Sequence, residues 1–195
     1  MSAAMKIAIE PEDLYAQLEA LPENFTGEII NGRLYAQPRP VSRHALTSSN
    51  LGGELYSPYH RGRGGPGGWW ILDEPELHFI RDTEVLVPDL AGWRRERMPR
   101  LPSDHRFDVV PDWVCEIVSP STARTDRFTK MPVYGRYGVS YLWLVDPVAR
   151  TLETFTLREG QWTVIGLFQD QEIVSVEPFQ EIGLELGALW EPAAD

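Results

Sequence analysis

Two apolar runs in the middle of the chain each carry one acid, and this constrains the fold more than any other feature. Asp89 follows Pro88 in Val85-Leu86-Val87-Pro88-Asp89-Leu90-Ala91-Gly92-Trp93, and Glu116 lies in Trp113-Val114-Cys115-Glu116-Ile117-Val118. Both runs have the length and composition of buried strands. An ionised carboxylate in such a place is costly unless it is paired or holds a cation. Side chains alternate along a strand, so Glu116 shares a face with Val114 and Val118, and Asp89 shares one with Val87 and Ala91. If the two strands are neighbours, both carboxylates converge on one point. A buried acid paired with an arginine, or capping a backbone group, is the structural alternative for either residue.

Around these runs the pattern predicts a mixed α/β (α+β) sheet. Leu14, Leu18 and Leu21 recur at helical spacing, which places a short helix over 11–21. Asn31-Gly32 between two apolar stretches predicts a hairpin over 27–36 with a type I′ turn. A helix is expected over 42–56, weakened by Gly52 and Gly53. The glycine-rich segment 61–68 has no Gly-Lys-Ser/Thr after it and is read as a flexible connector. Strands follow at 69–80, 85–93 and 113–118. A helix is expected over 122–137, capped by hydroxyls of Ser119, Ser121 and Thr122, stopped at Gly138, and kinked or delayed by Pro132. A strand at 141–145 and a hairpin of 151–157 with 161–167 around Glu159-Gly160 complete the order.

The 195 residues suffice for one domain over 1–195, with its core at about 42–147. No apolar run is long enough to span a bilayer and no signal-peptide pattern is present, which predicts a cytoplasmic protein without membrane contact. The lone Cys115, inside an apolar stretch, reads as a buried structural thiol. A net charge of -11 argues against a surface that grips nucleic acid all over. The charge is uneven, however. Arg33, Arg39, Arg43, Arg61 and Arg63 form one basic stretch, Arg94, Arg95, Arg97, Arg100 and Arg106 a second, and the chain beyond Arg150 is strongly acidic. These are either solvated faces or a functional basic rim.

Pro88-Asp89, then Cys115 to Thr122, then Asp126, Lys130 and Tyr134, and then Gly138-Val139 with Tyr141 to Pro147 resemble the Uma-type endonucleases. These form a branch of the PD-(D/E)XK nuclease superfamily. The resemblance extends from about Glu28 to Asp146, and includes the Glu28-Ile-Ile-Asn-Gly-Arg-Leu hairpin and His44. It implies a restriction-endonuclease-like αβββαβ core with added N- and C-terminal hairpins. The lysine of the general superfamily pattern, two residues after the glutamate, is here Val118, and the branch supplies it from the next helix, at Lys130. Without the resemblance, Lys130 reads as a solvated lysine pairing with Asp126.

The resemblance thus implies a catalytic set of Asp89, Glu116 and Lys130, with Glu28 and His44 in support. Oxygen donors from Asp89, Glu116 and the carbonyl of Ile117 suit Mg²⁺ (or Mn²⁺). The expected activity is metal-dependent hydrolysis of DNA phosphodiesters, in genome defence, by a homodimer whose two sites cut two strands. The alternative is a catalytically silent nuclease-fold module for nucleic-acid or protein interaction. A serine or cysteine hydrolase is set aside, because no Gly-x-Ser-x-Gly elbow occurs.

Overall fold

The computed structural model describes residues 11–38 and 42–192. Arg39, a member of the first basic stretch, lies outside the described residues. Two sheets dominate. The larger has six strands in the order β11-β10-β9-β8-β6-β3 and the smaller five in the order β2-β1-β5-β4-β7. In the larger sheet β3 is Trp69–Asp73, β6 Leu90–Arg94, β8 Trp113–Ile117, β9 Tyr141–Asp146, β10 Thr151–Arg158 and β11 Gln161–Gln169. In the smaller, β1 is Phe25–Ile30, β2 Arg33–Pro38, β4 Glu76–Ile80, β5 Glu84–Leu86 and β7 Arg106–Phe107. Strands β8 and β9 run parallel, joined by the helical segment between them, while β6 and β8 are antiparallel neighbours.

The two long strands expected at 69–80 and 85–93 are each broken, and this is the main correction to the sequence reading. The first divides into β3 and β4 at Glu74-Pro75, where Glu74 has a positive φ of 43°, and the second into β5 and β6 at 87–89. Each half belongs to a different sheet. Proline has no N–H to give to a ladder, so Pro75 and Pro88 mark where the chain leaves one sheet for the other. Asp89 therefore lies in the junction before β6 rather than inside a strand.

The helices also depart from regularity at proline. Helix α1 (Pro11–Glu19) packs on β1 through the partly buried Leu14 and Leu18 and the buried Tyr15. Helix α2 (Ser42–Leu55) buries His44, Thr47, Leu51 and Leu55 as one stripe and runs into a π-turn, Tyr56–His60, that contains Pro58. Helices α3 (Ala123–Thr125) and α4 (Met131–Tyr137) are joined by a second π-turn, Asp126–Lys130. Met131 N–H bonds Asp126 O there, five residues back, and Pro132 follows in the first turn of α4. The regular helix carrying Pro132 thus begins only at Met131, the later start that proline favours, with the π-turn bridging it to α3. At the start of the segment, Ser119 and Thr122 each accept a hydrogen bond from the other's backbone N–H. Gly138 stops it in the left-handed conformation, φ 83°.

The two tight hairpins behave as their residues require. Asn31 and Gly32 both have positive φ, as do Glu159 and Gly160. The loop at 61–68, read as flexible, is tied down instead. Arg63 N–H bonds Ser57 O, Gly67 N–H bonds Pro58 O, and Arg95 N–H bonds Gly68 O. On one face of the larger sheet Trp69, Trp113, Trp143 and Phe179 pack with Leu51 and Leu55 of α2. On the other, Val114, Val118 and Leu142 pack with Val133 and Tyr134 of α4 and with Leu77 and Leu86 of the smaller sheet. Cys115 is buried and free, and burial pushes its thiol pKa up. Among the described residues no helix is long and apolar enough to cross a membrane.

Candidate active site

The site occupies the seam where the sheets part company. A pocket of about 570 Å³ there is lined by His44, Asp89, Glu116, Ile117, Asp126 and Lys130, among others. Glu116 projects from β8 on the face it shares with Val114 and Val118, as alternation requires. Asp89 reaches the same pocket from the junction just before β6, and Lys130 from the last position of the second π-turn.

Lys130 is the hub. Its ammonium lies 2.8 Å from Glu116 Oε1 and 2.9 Å from Glu28 Oε1, and donates to Val87 O at 3.2 Å. Glu28 Oε1 also accepts from Val87 N–H at 2.8 Å. Val87 sits in the junction between sheets, so the buried ion pair supplies its backbone partners. Lys130 is only 3% exposed, and is not the solvated lysine that spacing alone suggests. Burial works against its charge, yet Glu116, Glu28, Asp126 and Asp89 together outweigh it and raise its pKa.

The carboxylates respond in the opposite sense. Burial pushes Glu116 well above the usual carboxylate range; Lys130 opposes the rise, while Asp126, Asp89 and Glu28 add to it. Burial likewise raises Asp126 to about 6, against Lys130 and the Thr122 hydroxyl. Tyr134, one turn beyond Lys130, donates its hydroxyl to Glu116 Oε1 at 2.5 Å and is fully buried.

Asp89 is held from two sides. Its Oδ2 accepts Ile117 N–H at 2.6 Å, and its Oδ1 lies 3.2 Å from His44 Nε2. Burial lowers the His44 pKa, but the Asp89 hydrogen bond and charge, with Asp126 and Glu74, raise it overall. His44 Nδ1 is buried without a partner, so a proton on that nitrogen would have no acceptor. The network therefore favours the tautomer with Nε2–H directed at Asp89.

Of the five residues singled out from sequence, Asp89, Glu116, Lys130 and His44 line this one pocket, and Glu28 contacts Lys130 beneath it. Asp126 and Tyr134 were named among the residues that carry the resemblance but given no site role, although each lies four positions from Lys130, a spacing that puts all three on one helical face.

The donor set fits a hard divalent cation in its chemistry. Four carboxylates, Glu28, Asp89, Glu116 and Asp126, surround one ammonium; burial raises Glu116 and Asp126, Lys130 opposes it, and the other carboxylates add to the rise. Among the described residues, however, no three His, Cys, Asp or Glu side chains form a ready metal cage. Lys130 already stands against Glu116, a position in which a cation would offset the same charge.

Comparison with known proteins places these observations in a lineage. The chain is similar to a solved structure described as a putative nuclease belonging to DUF820 from Anabaena variabilis ATCC 29413, at 23% identity and a TM-score of 0.71. The match covers 90% of this chain and 96% of that one, and the shared architecture is a restriction-endonuclease-like α+β fold. No curated protein matches the chain. The family model named Uma2, described as "Putative restriction endonuclease", matches residues 12–189, and on that extent the chain belongs to the Uma2 family.

Proposed function

We propose that this chain is a Mg²⁺- (or Mn²⁺-) dependent endonuclease that hydrolyses DNA phosphodiester bonds, acting in genome defence. The observation that carries the reading is the convergence of Asp89, Glu116, Asp126 and Lys130 on one open pocket with a surplus of negative charge. Membership of a family described as "Putative restriction endonuclease" supports a nucleic-acid substrate.

Asp89, Glu116 and the Ile117 carbonyl would hold the ion. A divalent ion there supplies a lowered pKa for water and polarises the phosphodiester. The remaining work falls to the chain itself. Lys130, charged under all physiological conditions, orients the attacking water or stabilises negative charge on the phosphoryl group in flight. His44 fixes one oxygen of Asp89 and Ile117 N–H fixes the other, so that carboxylate cannot turn freely. Tyr134 fixes Glu116 in the same way. Glu28 anchors Lys130 and the Val87 backbone, a positioning role. A two-fold homodimer is the simplest arrangement for cutting both strands. Light scattering that finds a monomer at high concentration would remove that part.

A second reading has its own support. Lys130 already neutralises Glu116 and Glu28 in part, and no three-ligand cage is preformed among the described residues, as expected of a silent nuclease-fold module. Supercoiled plasmid incubated with Mg²⁺, Mn²⁺ or Ca²⁺ separates the two. The enzyme reading expects nicking in Mg²⁺ or Mn²⁺, little in Ca²⁺, and none from Glu116→Gln. If Glu116→Gln cuts as well as the native chain, the activity belongs elsewhere.

A further inference from the structure

We infer that the groove beside the acidic pocket, between α2 and the loop at 61–68, binds phosphates of the substrate strand through Arg61 and Arg63. This rests on the nuclease reading above. The groove measures about 840 Å³ and is lined by Ser48, Ser49, Gly52, Tyr56, Arg61 and Arg63 on one side. Asp73 and Leu90 also line it, and their chain neighbours Glu74 and Asp89 line the acidic pocket. A strand with one phosphate at Asp89 would therefore have its next ones over this groove.

Of the arginines in the two basic stretches that form no ion pair among the described residues, Arg33, Arg94 and Arg100 lie outside this groove and only Arg61 and Arg63 line it. Arg43 pairs with Glu191, Arg97 with Asp112, and Arg106 with Asp82. Arg95 is spent on the carbonyls of Trp69 and His60 and lies over the Trp70 ring. Arg61 and Arg63 are exposed, and neither forms an ion pair among the described residues. On a chain of net charge -11, two unneutralised guanidinium groups beside the candidate site are a local exception.

The Arg61 side chain and the Arg63 backbone are both held in place before any ligand arrives. The Arg61 guanidinium lies 5.2 Å over the Tyr56 ring, which itself stacks on His60 at 4.1 Å. His60 Nδ1 in turn accepts Ile71 N–H at 3.2 Å, fixing the stack to β3. The Arg63 backbone is clamped through both its N–H and its carbonyl, by Ser57 O and Ser57 Oγ. A planar guanidinium fork matches phosphate oxygens in pairs and so loses less entropy per hydrogen bond than an ammonium would. The Ser48 and Ser49 hydroxyls in the same lining can donate to phosphate oxygens, and Gly52 and Gly53 leave room for a sugar-phosphate chain.

The test is fluorescence anisotropy with a labelled duplex of about 20 base pairs and its single strand, in Ca²⁺, over a salt series. The full chain is compared with Arg61→Ala/Arg63→Ala and with the conservative Arg61→Lys/Arg63→Lys. The alanine pair should bind roughly 10- to 100-fold more weakly, with a log-log salt slope smaller by roughly two, while the lysine pair keeps most of the affinity. Mn²⁺ binding by calorimetry should be unchanged in both, showing that the acidic pocket is intact. Equal affinity and slope in native and alanine proteins overturns the inference, as does a native chain that binds neither DNA form. The outcomes also separate the two levels of the argument. Glu116-dependent cleavage with no effect of the arginines leaves the nuclease reading standing and removes the groove. Arginine-dependent binding without cleavage does the reverse.

Discussion

Lys130 and Tyr134 converge on the same atom, Glu116 Oε1, at 2.8 and 2.5 Å. One partner brings a full positive charge and the other a neutral hydroxyl, both from within the protein. Removing Lys130 leaves Glu116 and Glu28 buried without a counter-charge, and breaking a buried pair from one side typically costs about 3–5 kcal/mol. Lys130→Met should lose stability on that scale in urea unfolding, and Mn²⁺ should raise the midpoint of the variant more than that of the native chain. A loss below about 1 kcal/mol would mean that the carboxylates simply take up protons.

Glu116→Gln should separate folding from chemistry. Glutamine keeps an acceptor for Tyr134 and Lys130 while removing the charge that a divalent ion requires. Calorimetric Mn²⁺ binding and plasmid cleavage should disappear together, with the unfolding midpoint close to that of the native chain, because Lys130 keeps Glu28 as its counter-charge and one of the crowded carboxylates is gone. Metal binding that survives the change would remove Glu116 from the ligand set.

Asp89 combines a structural bond with its assigned role, and two substitutions divide them. Asparagine can still accept Ile117 N–H, whereas alanine leaves that amide and His44 Nε2 without their partner. Asp89→Ala should cost about 1–3 kcal/mol more stability than Asp89→Asn, the scale of an unmet buried donor. Both should fail to cut DNA. Equal stability of the two would show that water replaces the carboxylate.

The raised Asp126 pKa fixes a sign for pH dependence. The folded chain protonates Asp126 at about 6, the unfolded chain nearer 4, so between those values the folded state holds more protons. This group therefore adds stability as pH falls through 6 and withdraws it as pH rises. Asp126→Asn should be more stable than the native chain at pH 7 to 8, by a margin that shrinks towards about pH 4. Urea midpoints of both proteins across that range, without metal, give the difference directly. A margin that is constant with pH would place the Asp126 titration elsewhere.

The parts of this architecture written as periodicity could be read from the chain, and those written as three-dimensional neighbours could not. Glu116 and its strand companions follow from alternation, and Gly138, Asn31-Gly32 and Glu159-Gly160 fall where positive φ is required. The division of 69–80 and 85–93 between two sheets was hidden, because Pro75 and Pro88 are compatible with an edge strand as well as with a sheet change. Lys130 shows the same limit. Its spacing to Asp126 suggests a surface pair, and only the fold brings Glu28, 102 positions earlier in the chain, against it. The rigid loop at 61–68 was unreadable for a similar reason: its glycines signal freedom, and the carbonyls that remove it belong to Ser57 and Pro58.

The π-turn at Asp126–Lys130 sets an angular phase for everything on either side of it. Each residue of an α-helix advances the chain by about 100°, and a π-turn carries one residue more than the α-helical turn it replaces. Deleting a single residue there would restore regular winding and swing Ser119 to Asp126 by about 100° relative to Tyr134. Lys130 and Tyr134 would keep their grip on Glu116 while the Asp126 wall of the pocket rotated away. The helix thus works as a keyed shaft: the count of residues between Asp126 and Tyr134 fixes which walls of the pocket face each other.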